Sequence, residues 1–113
     1  KKNWVVYTGT HDNATSTSWW ENLDIHIKNL IKENYNYSTD PSWNLIEIGM
    51  RTKANIFISP IQDILSLDDS SRLNTPGTIK NNWKWKLNQP LDEIEMNLQK
   101  YSALGNNYGR VSY

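Results

Sequence analysis

Two apolar runs mark the strands of this chain. Residues 3–8 combine β-branched and aromatic residues, and residues 54–59 form a second run that Pro60 ends. Strands that alternate apolar and polar residues are half-buried, whereas continuous apolar runs are typical of parallel sheets that are covered on both faces. The pattern therefore predicts two parallel strands buried on both sides.

The stretch between the two runs predicts three helices. Ser16 or Thr17 is the expected N-cap of a short first helix, because hydroxyl side chains accept hydrogen bonds from free backbone N–H groups. Apolar residues spaced i, i+3 and i+4 predict a second helix over residues 24–33. After a polar, irregular segment at residues 34–39, Asp40-Pro41 starts a third helix with an Asp N-cap and a proline at the first helical position. Trp43, Ile46 and Met50 follow at helical spacing.

The remainder predicts one helical turn at residues 61–65, an ordered loop over residues 66–87 and a final amphipathic helix. That helix is expected to stop at Gly105. Its apolar positions are Leu91, Ile94, Leu98, Tyr101 and Leu104. The resulting βαβα order is typical of parallel α/β proteins, and residues 1–113 show no repeat, linker or internal domain boundary.

Two parallel strands are too few for a closed sheet. A (β/α)8 barrel needs about 250 residues, and this chain supplies two of its eight strands. Either the strands pair with copies in other chains, or the sequence is a piece of a larger protein. We favour the second interpretation, in which the sequence is a piece of a larger protein.

Charge and composition narrow the class of protein. Twelve basic residues balance twelve acidic ones, which argues against a general nucleic-acid binder, and no apolar run is long enough to span a membrane. Without cysteine there are no disulfides or thiolate metal sites, and His11 and His26 lack metal-ligand spacing. These features predict a cytoplasmic protein that uses no metal or cofactor.

The aromatic residues leave an alternative function open. Six Trp and six Tyr accompany a single Phe, and flat aromatic rings can stack on sugars. One hypothesis is therefore a non-catalytic sugar-binding module, and a structural or protein-interaction domain is another. Residues 81–86 alternate aromatic and basic side chains, which predicts that Trp83 and Trp85 face the packed interior and the lysines face solvent.

The first candidate for chemistry is the polar segment Tyr7-Thr-Gly-Thr-His-Asp-Asn13, directly after the first strand. Catalytic groups of α/β barrels project from the carboxyl ends of the strands. A carboxylate at Asp12 could act as an acid, base, nucleophile or electrostatic stabiliser, and His11 could donate to a substrate hydroxyl. The alternative is an ordinary turn in which Asp12 caps the next helix.

Four motifs in fixed order carry a resemblance to a known family. They are Val6-Tyr-Thr-Gly-Thr-His-Asp-Asn13 leading to Trp19-Trp20, then Ile58-Ser-Pro-Ile-Gln-Asp-Ile-Leu65, Arg72-Leu-Asn-Thr-Pro-Gly77 and Asn82-Trp-Lys-Trp85. The chain resembles the carboxyl-terminal part of the amylomaltases, the 4-α-glucanotransferases. Family members commonly have other residues at Ala14 and Ser18.

The resemblance implies an α-amylase-like (β/α)8 TIM barrel, of which this chain would hold strands 7 and 8. It implies transfer of a segment of an α-1,4-glucan to the 4-hydroxyl of an acceptor sugar, with retention through a covalent intermediate. Such chemistry needs a nucleophilic carboxylate and an acid/base about 5 Å apart. In the family both lie on earlier strands, so the amino-terminal part of the same enzyme would be needed for activity.

The resemblance also implies roles for residues of this chain. Asp12 matches the carboxylate that stabilises the transition state, and His11, Asn13 and Asn74 match substrate-binding positions. Supporting roles fall to Gln62, Asp63 and Arg72. The expected partner is an α-1,4-glucan or maltooligosaccharide, and the chain alone is expected to be inactive.

Overall fold

The computed structural model describes residues 2–35 and 40–110 of the chain; residues 36–39, part of the predicted irregular segment, lie outside the described residues. The described residues form two strands and five α-helices, in the predicted order. They are β1 (Lys2–Tyr7), α1 (Ser16–Glu21), α2 (Ile25–Asn34), α3 (Pro41–Arg51), β2 (Ala54–Ile58), α4 (Ile61–Ile64) and α5 (Leu91–Asn107). A single 3-10 turn, Asp69–Ser71, lies in the long loop between α4 and α5.

The two strands form a parallel pair, as the sequence predicts. Val5 lies opposite Ile56 and Tyr7 opposite Ile58, with an irregularity between Lys2 and Val5. Because side chains alternate along a strand, these four residues share one face of the sheet.

That shared face is uncovered by the rest of the described chain. Tyr7 and Ile56 are each 52% exposed, and Val5 and Ile58 are each 44% exposed. The prediction that both faces are buried is therefore wrong for this chain by itself, because its helices cover only the opposite face, where Phe57 packs against the hydrophobic core.

The core is built mainly by α3. Trp43, Ile46 and Met50, which the helical spacing singles out, are 6%, 0% and 3% exposed, and they pack with Ile64 of α4. Phe57 of β2 and Tyr101 of α5 pack against this cluster, with stacked rings whose centroids are 6.4 Å apart. Helix α3 thus ties the sheet to α4 and α5.

The helix starts are partly as predicted. Asp40 caps α3 by accepting from the backbone N–H groups of Ser42 and Trp43, with Pro41 first in the helix. At α1, however, the N-cap is Thr15, whose hydroxyl accepts from the Ser18 N–H. Ser16 and Thr17 were the predicted caps, and Ser16 is instead the first helical residue because its own side chain is bound elsewhere.

Helix α5 does not stop at Gly105. It continues to Asn107 and ends where Gly109 adopts φ +68°, with the Arg110 N–H donating to the Gly105 carbonyl and the Gly109 N–H donating to the Asn106 carbonyl. These two bonds form a Schellman motif, in which the glycine that ends the helix lies beyond its last turn. The prediction that Gly105 ends the helix is therefore wrong, and Gly109 is the glycine that ends it.

Arg110 closes the C-terminal end of α3. Its guanidinium donates to the carbonyls of Met50, Ala54 and Thr52 at 3.0, 2.9 and 2.9 Å. The last carbonyls of a helix have no partner inside it, and a cationic donor there also opposes the helix dipole. This bond set connects the end of α5 to the turn that leads into β2.

A methyl group has no room at Gly49. A Cβ placed there would lie 2.1 Å from Cε1 of Phe57, whose ring stacks on Tyr101. We expect Gly49→Ala to lower the free energy of unfolding by about 1–3 kcal/mol through overpacking, measured by urea denaturation. The double variant Gly49→Ala, Phe57→Leu should be less destabilised than the sum of its single variants, since the smaller side chain yields space. Additive losses would contradict the clash.

Several apolar positions of the helices are exposed. Ile27 and Leu30 of α2 are 46% and 56% exposed, and Leu91 and Leu98 of α5 are 83% and 44% exposed. Within residues 2–35 and 40–110, no helix combines the length and apolar character needed to cross a membrane.

Candidate active site

The candidate site lies at the carboxyl ends of the two parallel strands. The segment after β1 begins with Thr8, whose backbone N–H donates to the Ile58 carbonyl at the end of β2. The Thr8 and Ser59 hydroxyls are 2.9 Å apart. The chain segments that follow both strands therefore start from one edge of the sheet.

Asp63 holds both ends of the segment that carries His11 and Asp12. One carboxylate oxygen accepts from the Thr8 hydroxyl at 2.6 Å and the Ser16 hydroxyl at 2.7 Å, and the other accepts from the Ser16 N–H at 2.9 Å. Asp63 is only 2% exposed. A buried carboxylate is stable in the fold when such bonds replace water, and here they fix where the loop leaves β1 and enters α1.

The tip of this loop is folded on itself by Asn13. Its side-chain oxygen accepts from the Thr10 N–H at 2.8 Å and the Thr10 hydroxyl at 3.0 Å, while its own N–H donates to the Thr10 carbonyl. The Asp12 N–H donates to the Thr10 hydroxyl at 3.3 Å. These local bonds turn the chain so that His11 and Asp12 lie outward.

The carboxylate of Asp12 is held between two side chains and remains accessible. Asn74 Nδ2 donates to Oδ1 at 2.6 Å, and Nε2 of His11 lies 3.3 Å from Oδ2. The side chains of His11 and Asp12 are 51% and 48% exposed. The alternative that Asp12 caps α1 is contradicted, since Thr15 is the cap and the Asp12 side chain bonds to Asn74.

Arg72 links the two loops that meet at this carboxylate. Its Nη2 donates to the Asp12 carbonyl at 2.8 Å and its Nε donates to the Asn74 carbonyl at 2.9 Å. A planar guanidinium fixes the direction of both bonds. Arg72 therefore sets the distance across which Asn74 reaches the Asp12 side chain.

Gln62 and Asp69 hold the same loops in place through hydrogen bonds that do not involve Asp12. Gln62 is 8% exposed, and its amide donates to the Ser71 carbonyl at 3.2 Å. Asp69 accepts from the Thr15 N–H at 2.9 Å, and its own N–H donates to the Ser18 hydroxyl at 2.8 Å. Asp68 comes directly before Asp69, and hydrogen bonds from the Ser70 side chain and backbone lower the pKa of its carboxyl group.

The segment after Asn74 forms a tight turn. Pro76 and Gly77 occupy the central positions, Gly77 has φ +84°, and the Thr78 N–H donates to the Thr75 carbonyl at 3.2 Å. A positive φ at the third position of a turn favours glycine. The turn directs the chain back toward His11.

Trp83 lies against His11, which the sequence did not predict. The two ring centroids are 4.9 Å apart, and Trp83 is 61% exposed. The expected alternation, with both tryptophans buried, fails because Asn81 and Trp83 have φ +61° and the segment is not extended. Trp85 is half-buried, while Lys84 and Lys86 are exposed.

All seven predicted site residues lie in the segments that follow the two strands. Asp12 contacts His11, Asn74 and Arg72 directly, and the other three residues bond to groups of the same segments. We call these contacts the network. A small cavity of about 80 Å³ lies beneath the loop, lined by Gly9, Thr10, His11, Asn13, Ala14, Thr15, Pro60, Gln62, Asp63, Arg72 and Leu73. In the described part of the chain, no group of three His, Asp or Glu side chains is arranged to hold a metal ion. The residues that the sequence analysis missed are Thr8, Ser16, Asp69 and Trp83.

A larger groove of about 270 Å³ lies away from this network, between α1 and α3. Its lining is mostly apolar and aromatic: Trp19, Trp20, Ile31, Tyr35, Pro41, Asn44, Leu45, Glu47, Ile48 and Arg51. The chemical groups that the four motifs bring together lie at the strand ends, so we assign the candidate site there.

The chain is similar in sequence to a defined family. A family model described as 4-alpha-glucanotransferase matches residues 1–92. A chloroplastic/amyloplastic 4-alpha-glucanotransferase of Arabidopsis thaliana is 37% identical over 96% of this chain, and one of Solanum tuberosum is 37% identical over 98%. The 4-alpha-glucanotransferase of Thermus thermophilus is 34% identical over 74% of the chain.

A solved structure shares the fold. The amylomaltase from Streptococcus agalactiae, in complex with acarbose, matches 96% of this chain with a TM-score of 0.80 and 26% sequence identity, over 22% of its own length. The chain spans about a fifth of the length of the curated relatives that it matches, between 18% and 20% of the three named above. The parallel α/β piece predicted from the sequence is therefore found within a known, longer fold.

Proposed function

The chain belongs to the 4-alpha-glucanotransferase family, and from that premise we propose that it forms the part of such an enzyme that carries the transition-state-stabilising carboxylate. The observation that carries this proposal is the arrangement of Asp12. Its carboxylate lies at the carboxyl ends of two parallel strands, held by Asn74 and next to His11. Barrel enzymes place their catalytic groups at this end of the strands.

The proposed role of the chain is within a (β/α)8 barrel, as its strands 7 and 8. The exposed face formed by Val5, Tyr7, Ile56 and Ile58 supports this placement. Alternate residues of barrel strands point into the barrel interior, which side chains from the other strands fill. These four residues would be part of that interior, and the remaining strands would come from the rest of the protein.

In the reaction that we propose, a segment of an α-1,4-glucan is transferred to the 4-hydroxyl of an acceptor glucose or glucan. Retention requires a nucleophilic carboxylate and an acid/base about 5 Å apart, which the rest of the enzyme would supply. The sugar at the cleavage site becomes positively charged and flattened in the transition state. A fixed negative charge near that ring is favourable chiefly at that moment, so it accelerates the chemical step.

Asp12 suits this role because its position is fixed before substrate arrives. Asn74 holds Oδ1 at 2.6 Å, which leaves Oδ2 and the second lone pair of Oδ1 to accept hydrogen bonds from sugar hydroxyls. His11, with its ring nitrogen 3.3 Å from Oδ2, would donate to a hydroxyl of the same sugar. A preorganised carboxylate needs little rearrangement as charge develops.

The other residues of the network divide into contacts and supports. We propose that Asn74 lines the mouth of the site and that Asn13 contributes to substrate binding mainly by shaping the loop, since its side-chain oxygen is bonded to Thr10. Gln62, Asp63 and Arg72 act as supports, because their side chains bond to protein groups that hold the loops in place.

The alternative of a non-catalytic α-glucan-binding module has less support. Such modules are mostly β-sandwiches, whereas this chain has a parallel strand pair with helices and matches an amylomaltase. For the compartment, we propose the cytoplasm, with the plastid as the alternative that the names of the plant relatives support.

This function is tested with maltotriose. We expect the isolated chain to release no glucose and form no longer oligosaccharides, because two of the three required carboxylates would lie in the rest of the enzyme. The full-length protein that contains the chain should do both, as followed by chromatography of the products. Transfer by the isolated chain would refute the claim that it needs the remaining barrel.

A further inference from the structure

Trp83 offers an exposed aromatic surface at the edge of the candidate site. The residue is 61% exposed, and the centroid of its indole ring is 4.9 Å from that of the His11 imidazole, with the ring planes inclined by 40°. His11 in turn lies next to the Asp12 carboxylate. An apolar ring and two hydrogen-bonding side chains therefore line one continuous surface.

The backbone at Trp83 is held in an unfavourable conformation. Its φ of +61° lies in the left-handed region, which a bulky side chain rarely adopts. The Trp83 N–H donates to the Leu73 carbonyl, one residue before Asn74. Strained backbone of this kind persists where surrounding bonds fix it, and it is found most often at functional sites.

The neighbouring residue anchors this conformation to the turn after Asn74. The Asn82 side-chain oxygen accepts from the Thr75 N–H at 3.0 Å, and its amide donates to the Thr78 carbonyl at 3.1 Å. Trp83 is thus fixed relative to the loop whose Asn74 holds Asp12. The exposed ring is therefore held in a fixed position beside the site by these hydrogen bonds.

We propose that Trp83 is a sugar-stacking residue, on which a glucose ring of the bound α-glucan packs beside the ring held by His11 and Asp12. This inference rests on the proposed function and extends it. One face of a pyranose carries mainly C–H groups and suits an aromatic ring, while its hydroxyls suit carboxylate and imidazole side chains. The surface at Trp83 provides both kinds of contact within the reach of one oligosaccharide.

The test measures binding in the full-length protein that contains this chain. An Asp12→Asn background is used so that maltoheptaose is consumed only slowly while it binds, and the dissociation constant is determined by calorimetry. Trp83→Ala should raise that constant about 10-fold, the size expected for a lost aromatic stack. Trp83→Tyr should stay within about 3-fold of the background, because a planar ring is kept.

The matched control is Ile79→Ala, in the same loop. Ile79 is 96% exposed, so its truncation removes apolar surface away from the network and should leave the dissociation constant unchanged. Equal melting temperatures for the variants would show that Trp83→Ala acts on binding and not on folding. A loss of binding in Trp83→Ala that Trp83→Tyr does not restore would overturn the stacking role.

Transfer activity and maltoheptaose binding together separate the role of Trp83 from the proposed function of the whole protein. If the unmodified protein transfers glucosyl units and Trp83→Ala binds maltoheptaose as tightly as the background, only the role of Trp83 is overturned. If the unmodified protein neither transfers nor binds maltoheptaose, the proposed function is overturned and the stacking role with it.

Discussion

Asp12→Asn in the full-length protein is expected to lower kcat for glucan transfer by about 10²- to 10³-fold, the range for removing one preorganised electrostatic contact. Asparagine has the same shape, and its oxygen can still accept from Asn74, whose amide now lies 2.6 Å from Oδ1. What is lost is the negative charge that faces the developing positive charge on the sugar. The effect should therefore appear in kcat more than in KM.

The control for this variant is Asp92→Asn, an exposed aspartate in the first turn of α5 and outside the network. Its rate should equal that of the unmodified protein, and both variants should melt at the same temperature as that protein. A nearly normal kcat for Asp12→Asn would remove Asp12 from the catalytic set. A large fall in melting temperature would mean that the carboxylate is needed for folding instead.

Asp63→Ala is expected to have the largest effect on stability and a large effect on rate. It removes the acceptor for two hydroxyls and one backbone N–H, in a position that is 2% exposed. Each buried group left without a partner costs about 1–3 kcal/mol, so a loss of about 3 kcal/mol or more is expected in the free energy of unfolding. Urea denaturation of the full-length protein measures it.

The rate should fall because Asp63 fixes both ends of the loop that carries His11 and Asp12. A displacement of about 1 Å at a reacting group can cost about 10²-fold in rate. Asp63→Asn is the conservative variant to compare with Asp63→Ala. Its oxygen can accept from the Ser16 N–H and its amide can donate to the Thr8 or Ser16 hydroxyl, so most of the stability and part of the rate should return. Normal stability and rate in the Asp63→Ala protein would refute the claim that Asp63 fixes both ends of this loop.

Local patterns were enough to locate the elements that form around short-range signals. Helix α3 follows from Asp40-Pro41 and from the spacing of Trp43, Ile46 and Met50, since a cap and an apolar stripe are properties of neighbouring residues. The parallel pairing of β1 and β2 also follows, because both are continuous apolar runs separated by helices.

The helix ends that were wrong depended on geometry beyond the local pattern. Gly105 lies inside α5, and Gly109 ends it, since two backbone bonds close only around the later glycine. Ser16 could not cap α1 because Asp63, 47 residues away in sequence, binds both its hydroxyl and its N–H.

The candidate site was predicted as a set of motifs, and its connections were not. That His11-Asp12 and Asn74 belong to one site is implied by the family resemblance that the motifs carry, but the bond between Asp12 and Asn74 joins residues 62 positions apart. The contact of the Trp83 ring with the His11 ring depends on a positive φ that the alternation of residues 81–86 does not indicate. Such contacts depend on how loops from two strand ends meet.

The most direct test of the central claim is a labelled-acceptor assay on the full-length protein. Unlabelled maltotriose and ¹³C-labelled glucose are incubated with the protein, and the products are separated and analysed by NMR. We predict that the label enters maltose and longer oligosaccharides through new α-1,4 bonds. Label that remains in free glucose, whether maltotriose is left intact or only hydrolysed, would contradict the assignment of this chain to a glucan-transferring enzyme.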